Sequence, residues 1–121
     1  MTTILIVEDT LSQAEMIGSA LRKRGYTTVA VSSSEDARNQ IKQKQPDAIV
    51  MDVVLPGISG FELCREIKED PATQHIPIVL CSTKDSEMDK FWGIKQGASS
   101  YLTKPIDAEA LLRAVQTVAL P

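Results

Sequence analysis

The chain has 121 residues, 43% of them hydrophobic and 24% charged, with a formal net charge of −3. These values describe one ordinary globular domain whose core can bury well over half of the unfolded chain's surface. The charges are dispersed, so no basic stripe marks a nucleic-acid-binding face, and no apolar run reaches transmembrane length.

Met1-Thr2-Thr3-Ile4 runs straight into a strand-like segment, without the basic region and long apolar core of a signal peptide. A cytoplasmic location with no membrane partner is therefore expected. Cys64 and Cys81 have no Cys-x-x-Cys spacing and read as reduced thiols acting as small apolar residues.

The first short apolar run, Thr3–Val7, predicts a strand. A helix is predicted from about Leu11 to Arg24, with Leu11, Ala14, Ile17 and Leu21 as one apolar stripe. Thr10 is its expected cap, with Gln13 as capping-box partner, and Gly25 stands where a left-handed terminator is wanted. A second strand over Thr27–Val31 leads to a helix from about Glu35 to Lys44, with Ser34 as expected cap and Pro46 as terminator. The third strand is Ala48–Asp52. Its helix starts near Ser59 and ends before Pro71, with Phe61, Leu63, Cys64 and Ile67 facing inward. The fourth strand is Ile76–Cys81, followed by a helix from about Glu87 to Gln96, capped by Ser86 and stopped by Gly97. The fifth strand is Ser99–Leu102, and the last helix begins after Asp107 and carries Leu111, Leu112, Val115 and Val118.

Strand and helix thus alternate five times. Near-continuous apolar strands such as Thr3–Val7 and Ala48–Met51 suit a parallel sheet covered on both faces. Right-handed crossovers then give an α/β, doubly wound, five-stranded three-layer sandwich with five helices. The expectation is one domain over 1–121 with no output domain attached.

In open α/β sheets, ligands bind beyond the carboxyl ends of the strands. Glu8 and Asp9 follow the first strand, and Asp52 ends the third. Ser82 and Thr83 follow the fourth, and Lys104 lies just past the fifth, before Pro105. Taken singly, each has an ordinary role as a cap, a turn or a surface charge. Together they place carboxylates, hydroxyls and an ammonium on one edge. Crowded carboxylates repel, so a cation belongs among them, and magnesium favours one or two carboxylates with waters and a phosphate. An aspartate can itself be the nucleophile, forming an aspartyl phosphate.

These residues resemble the receiver domain of two-component response regulators. The resemblance rests on Ile4-Leu5-Ile6-Val7-Glu8-Asp9, Met51-Asp52-Val53-Val54-Leu55-Pro56-Gly57, Pro77-Ile78-Val79-Leu80-Cys81-Ser82 and Gly97-Ala98 through Tyr101-Leu102-Thr103-Lys104-Pro105, and it covers essentially the whole chain. It implies a flavodoxin-like sheet of order 2-1-3-4-5. It also implies Asp52 as phosphoacceptor and a Mg2+ site (Mn2+ as an alternative) formed by Glu8, Asp9, Asp52 and the main-chain carbonyl of Val54. Asp9 would bind directly and Glu8 through water. Ser82 matches the switch hydroxyl, Lys104 the lysine that pairs with a phosphoryl oxygen, and Tyr101 the aromatic that swings inward. A cis Lys104–Pro105 bond is implied as well.

The implied function is a conformational switch that catalyses only its own phosphorylation and dephosphorylation. A histidine kinase would donate the phosphoryl group. A downstream protein would read the surface of the fourth helix, fifth strand and fifth helix. The stretch Ser82-Thr83-Lys84-Asp85 with Phe91-Trp92-Gly93-Ile94-Lys95-Gln96-Gly97-Ala98 resembles small receivers of chemotaxis-like pathways controlling type IV pili, twitching and phototaxis. Trp92 either packs with Phe91 or anchors a partner.

The chain departs from the family pattern at Thr83, larger than the usual small residue, and at Val54, where a polar side chain is common. Lys84 stands at the other gate of the pocket. A haloacid-dehalogenase-type phosphatase would place an acid where Val54 stands. A flavodoxin-type module would place a hydroxyl- and glycine-rich loop where Glu8-Asp9-Thr10 stand. A receiver-like binder working without phosphorylation is the third alternative.

Overall fold

The computed structural model describes residues 2–119. Met1, Leu120 and Pro121, which the single-domain expectation also takes in, lie outside the described residues. The elements alternate as β1 (Thr3–Val7), α1 (Leu11–Arg22), β2 (Thr27–Val31), α2 (Ser34–Gln43), β3 (Ala48–Asp52), α3 (Gly60–Glu69), β4 (Ile78–Ser82), α4 (Glu87–Lys95), β5 (Ser100–Thr103) and α5 (Ala108–Val118). The strands form one sheet in the order β2-β1-β3-β4-β5, with every neighbouring pair parallel.

Successive side chains of a strand point to opposite faces, and this divides the core in two. Leu5, Val7, Ile49, Met51, Ile78 and Leu80 pack against Ala37 and Ile41 of α2 and Leu63, Cys64 and Ile67 of α3. Ile4, Ile6, Ala48, Val50, Val79 and Cys81 pack against Ile17 and Leu21 of α1 and Leu111, Leu112 and Val115 of α5. Both faces of β1, β3 and β4 are covered, which is why these strands are apolar without alternation. Each fully buried aliphatic side chain contributes about 1.5–3 kcal/mol relative to exposure.

The structure moves several local expectations. The cap of α2 is Ser33, whose side chain accepts from the Asp36 N–H, because the Ser34 hydroxyl is taken by another segment. Thr10 precedes α1 but makes no side-chain cap bond. Leu11 is 87% exposed, so the inward stripe of α1 starts lower, at Ile17 and Leu21. The last residues expected in that helix form a turn ending at Gly25, whose φ of +90° only glycine adopts readily. β4 begins at Ile78, after Pro77, which has no N–H to donate, and extends to Ser82. β5 is likewise displaced by one residue, to Ser100–Thr103.

The fourth helix departs most from a packed amphipathic helix. Ser86 and Asp89 form a full capping box, yet Gly93 is its one buried residue. Met88, Phe91, Trp92 and Ile94 are 75%, 60%, 47% and 48% exposed. Phe91 and Trp92 therefore do not pack as a core pair. Leu80 and the Tyr101 ring already fill the space beneath the helix, and a methyl on Gly93 would approach Tyr101 Cδ2 to 2.8 Å.

Candidate functional site

The parallel register brings the ends of β1, β3, β4 and β5 to one edge: Val7 lies opposite Met51, Asp52 opposite Cys81, and Ser82 opposite Thr103. Residues just beyond these pairs must share the crevice. One oxygen each from Glu8, Asp9 and Asp52 lies within 4.8 Å of the others. Glu8 and Asp52 are buried, and Asp9 is exposed at the mouth.

Lys104 enters this cluster from the chain following β5. Its ammonium donates to Glu8 Oε1 at 2.6 Å and to Asp52 Oδ2 at 3.0 Å, with its side chain only 8% exposed. Burial pulls the Lys104 pKa down, but the bonds to Glu8 and Asp52 outweigh it and hold the group above its ordinary value. The remaining oxygens are held by main chain. Thr10 N–H donates to Glu8 Oε2 at 3.0 Å, and Val54 N–H donates to Asp52 Oδ1 at 3.3 Å. Asp9 has no hydrogen-bond or ion-pair partner among the described residues. Three carboxylates thus meet a single ammonium, which reaches two of them. This donor set fits a hard divalent cation with oxygen ligands.

Ser82 is 1% exposed, and its Oγ accepts from Lys84 N–H at 3.1 Å. The Tyr101 hydroxyl donates to the Lys84 carbonyl at 2.7 Å, and the ring stacks on Phe61 at 6.4 Å. Burial pushes the Tyr101 pKa up, while its contact with the Ser82 hydroxyl pulls it back. Val54 stands at the rim, 57% exposed, and meets the crevice through its main-chain N–H. Lys104–Pro105 is cis. Glu8, Asp9, Asp52 and Lys104 thus come together directly, and Ser82 and Tyr101 flank them through Lys84.

Sequence reasoning passed over two close approaches to the chain that leaves Asp52. A Cβ on Gly60, at the start of α3, would collide with the Asp52 carbonyl oxygen, so only glycine lets the helix begin this close to β3. Its N–H donates to Val53 O at 2.7 Å. The spacing Gly57-x-x-Gly60 was the available signal. The second is Ser34, expected as a helix cap, whose hydroxyl instead donates to Pro56 O and accepts from Ile58 N–H in the connection between β3 and α3.

The response regulator receiver domain model matches residues 4–116. The chain belongs to this family of two-component signalling domains. It is 39% identical over 118 residues to protein PilH of Pseudomonas aeruginosa, covering 98% of both chains. It spans about a quarter to a half of several longer curated relatives. Among solved structures, it is similar to the receiver domain of a signal transduction histidine kinase from Syntrophus aciditrophicus, with TM-score 0.91, 32% identity and 98% and 90% of the two chains covered. It is also similar to the receiver domain of a Pseudomonas aeruginosa sensor histidine kinase, with TM-score 0.87, 29% identity and 98% and 97% covered; that structure has magnesium coordinated in its active-site cleft. Receiver domains are phosphorylated by histidine kinases and act on downstream proteins. As a class they are not true enzymes, and they bind magnesium at an acidic pocket.

Proposed function

We propose that this chain is a phosphorylation switch whose Asp52 accepts a phosphoryl group from a histidine kinase. The observation that carries the reading is the meeting of Glu8, Asp9 and Asp52 with Lys104 bridging two of them. An Asp52 carboxylate oxygen attacks the phosphorus of the donor phosphohistidine. The P–N bond breaks, the electron pair leaves with the imidazole nitrogen, and an acyl phosphate forms. Hydrolysis later returns inorganic phosphate and the free carboxylate.

Mg2+, with Mn2+ as substitute, would be held by Asp9, Asp52 and the Val54 carbonyl, with Glu8 acting through water. The bound ion supplies positive charge against the phosphoryl oxygens. Lys104 is already in contact with Asp52 and adds a second positive charge. Ser82, whose Oγ accepts from Lys84 N–H, would donate its hydroxyl proton to a phosphoryl oxygen. Catalysis is confined to this chain's own modification and its reversal.

The output is read from α4, β5 and α5. Tyr101 joins that face to the crevice through Lys84, and the exposed apolar residues of α4 suit a protein partner. The similarity to PilH supports pilus-related motility signalling as the setting. The proposed location is the cytoplasm, and the proposed partners are proteins, with neither nucleic acid nor membrane among them. Treatment with beryllofluoride or acetyl phosphate and Mg2+ tests the reading. A single adduct on wild type that disappears in Asp52→Asn is expected; an adduct that persists in the variant would refute it. A pull-down comparing phosphorylated protein with Asp52→Asn then identifies the partner.

A further inference from the structure

Ser34 is the most deeply buried polar residue outside the carboxylate cluster and its strand ends, at 1% exposure. Its side chain is spent on neither its own helix nor the core. The hydroxyl donates to Pro56 O at 3.1 Å and accepts from Ile58 N–H at 3.1 Å, while the Ser34 N–H donates to the same Pro56 carbonyl at 3.3 Å. Three hydrogen bonds from one residue of α2 therefore grip the connection between β3 and α3. Between the gripped residues, Gly57 has φ +91°, and a Cβ there would collide with the Ser34 hydroxyl. The approach is close because glycine permits it.

The gripped connection is the one that leaves Asp52. Its other end is tied by Val53 N–H to Cys81 O at 3.0 Å and by Gly60 N–H to Val53 O at 2.7 Å. Between the two ties lie Val54 and Leu55. The Val54 N–H holds Asp52 Oδ1, and its carbonyl belongs to the same short segment. The start of α2 is tied to the acidic pair as well, since Glu8 N–H donates to Val31 O at 3.0 Å, three residues before Ser34. We propose that Ser34 is a positioning residue for the metal and phosphoacceptor site, holding the Val54 main chain in register with Asp52 through its clamp on Pro56 and Ile58. The inference rests on the reading of the crevice as a Mg2+ site. Supporting groups behind metal ligands commonly tune affinity.

Direct Mg2+ binding by titration calorimetry, on the full chain, tests it with two variants. Ser34→Ala removes the clamp. Ser33→Ala removes the cap of the same helix, whose side chain accepts from Asp36 N–H and does not touch the connection. Ser34→Ala is expected to weaken Mg2+ binding by roughly three- to tenfold, the value of a lost hydrogen bond or two. It should also speed exchange of the Ile58 amide hydrogen, while Ser33→Ala leaves both unchanged. Unaltered affinity in Ser34→Ala, or an equal loss in Ser33→Ala, overturns the positioning role alone. Absence of Mg2+ binding in wild type overturns the site reading and the inference with it. If Ser34→Ala does not fold, the wild-type Ile58 amide decides: exchange as fast as an unprotected loop amide rules the clamp out, and strong protection upholds it.

Discussion

Gly93 and Tyr101 are matched in volume: a methyl on Gly93 would lie 2.8 Å from Tyr101 Cδ2 and 3.2 Å from Leu80 Cδ1. The ring occupies the space a side chain on α4 would take, with its hydroxyl bonded to the Lys84 carbonyl at 2.7 Å. Gly93→Ala should therefore drive the ring outward and break that bond. Overpacking of this kind costs about 1–3 kcal/mol. Urea unfolding measures the loss, and fluorine labelling of the tyrosines reports the altered position of Tyr101. A variant with wild-type stability and an unmoved ring would contradict the packing described.

Asp9 is the cluster member without a hydrogen-bond or ion-pair partner among the described residues. Its removal takes away repulsion and no bond. In Asp9→Asn, stability without metal is expected to equal or slightly exceed wild type. The rise in melting temperature that saturating Mg2+ produces by preferential binding to the folded state should vanish. Calorimetric melting with and without Mg2+ checks both halves.

Lys104→Met keeps the length of the side chain and deletes the charge that reaches Glu8 and Asp52. Two buried carboxylates would then face each other without compensation. Breaking a buried pair in this way costs about 3–5 kcal/mol. Unfolding in EDTA should show a loss of that order, and Mg2+ should recover part of it. A metal-free stability equal to wild type would argue that Lys104 carries little of the charge balance.

Burial pushes the Cys64 thiol from 9.0 up to about 11. The folded chain keeps the proton that the unfolded chain releases near its ordinary value, so stability is fully present below that value. It falls as pH rises from about 9 through 11. The difference in unfolding free energy between wild type and Cys64→Val, followed from pH 7 upward, should stay flat and then narrow or change sign in that window. A difference independent of pH would show that the thiol is not held neutral by the fold.

Local pattern already determined much of this protein. Short apolar runs such as Ile4–Val7 and Ala48–Met51 mark strands covered on both faces. The register of parallel strands then carries whatever follows them to one edge. Glu8, Asp9, Asp52 and Lys104 were legible for that reason, since their positions depend on strand ends and not on details of packing. Caps were less legible. Ser33 and Ser34 are equivalent in sequence, and only the proximity of Pro56 and Ile58 assigns one to the helix and the other to the clamp. The same holds for Gly60 and Gly93, whose missing side chains are explained by the Asp52 carbonyl and the Tyr101 ring. Hydrophobicity acts within a segment and can be read along the chain. Close approach acts between segments distant in sequence, so the tertiary structure alone decided how the chain around the carboxylate edge is packed and why Phe91 and Trp92 face outward.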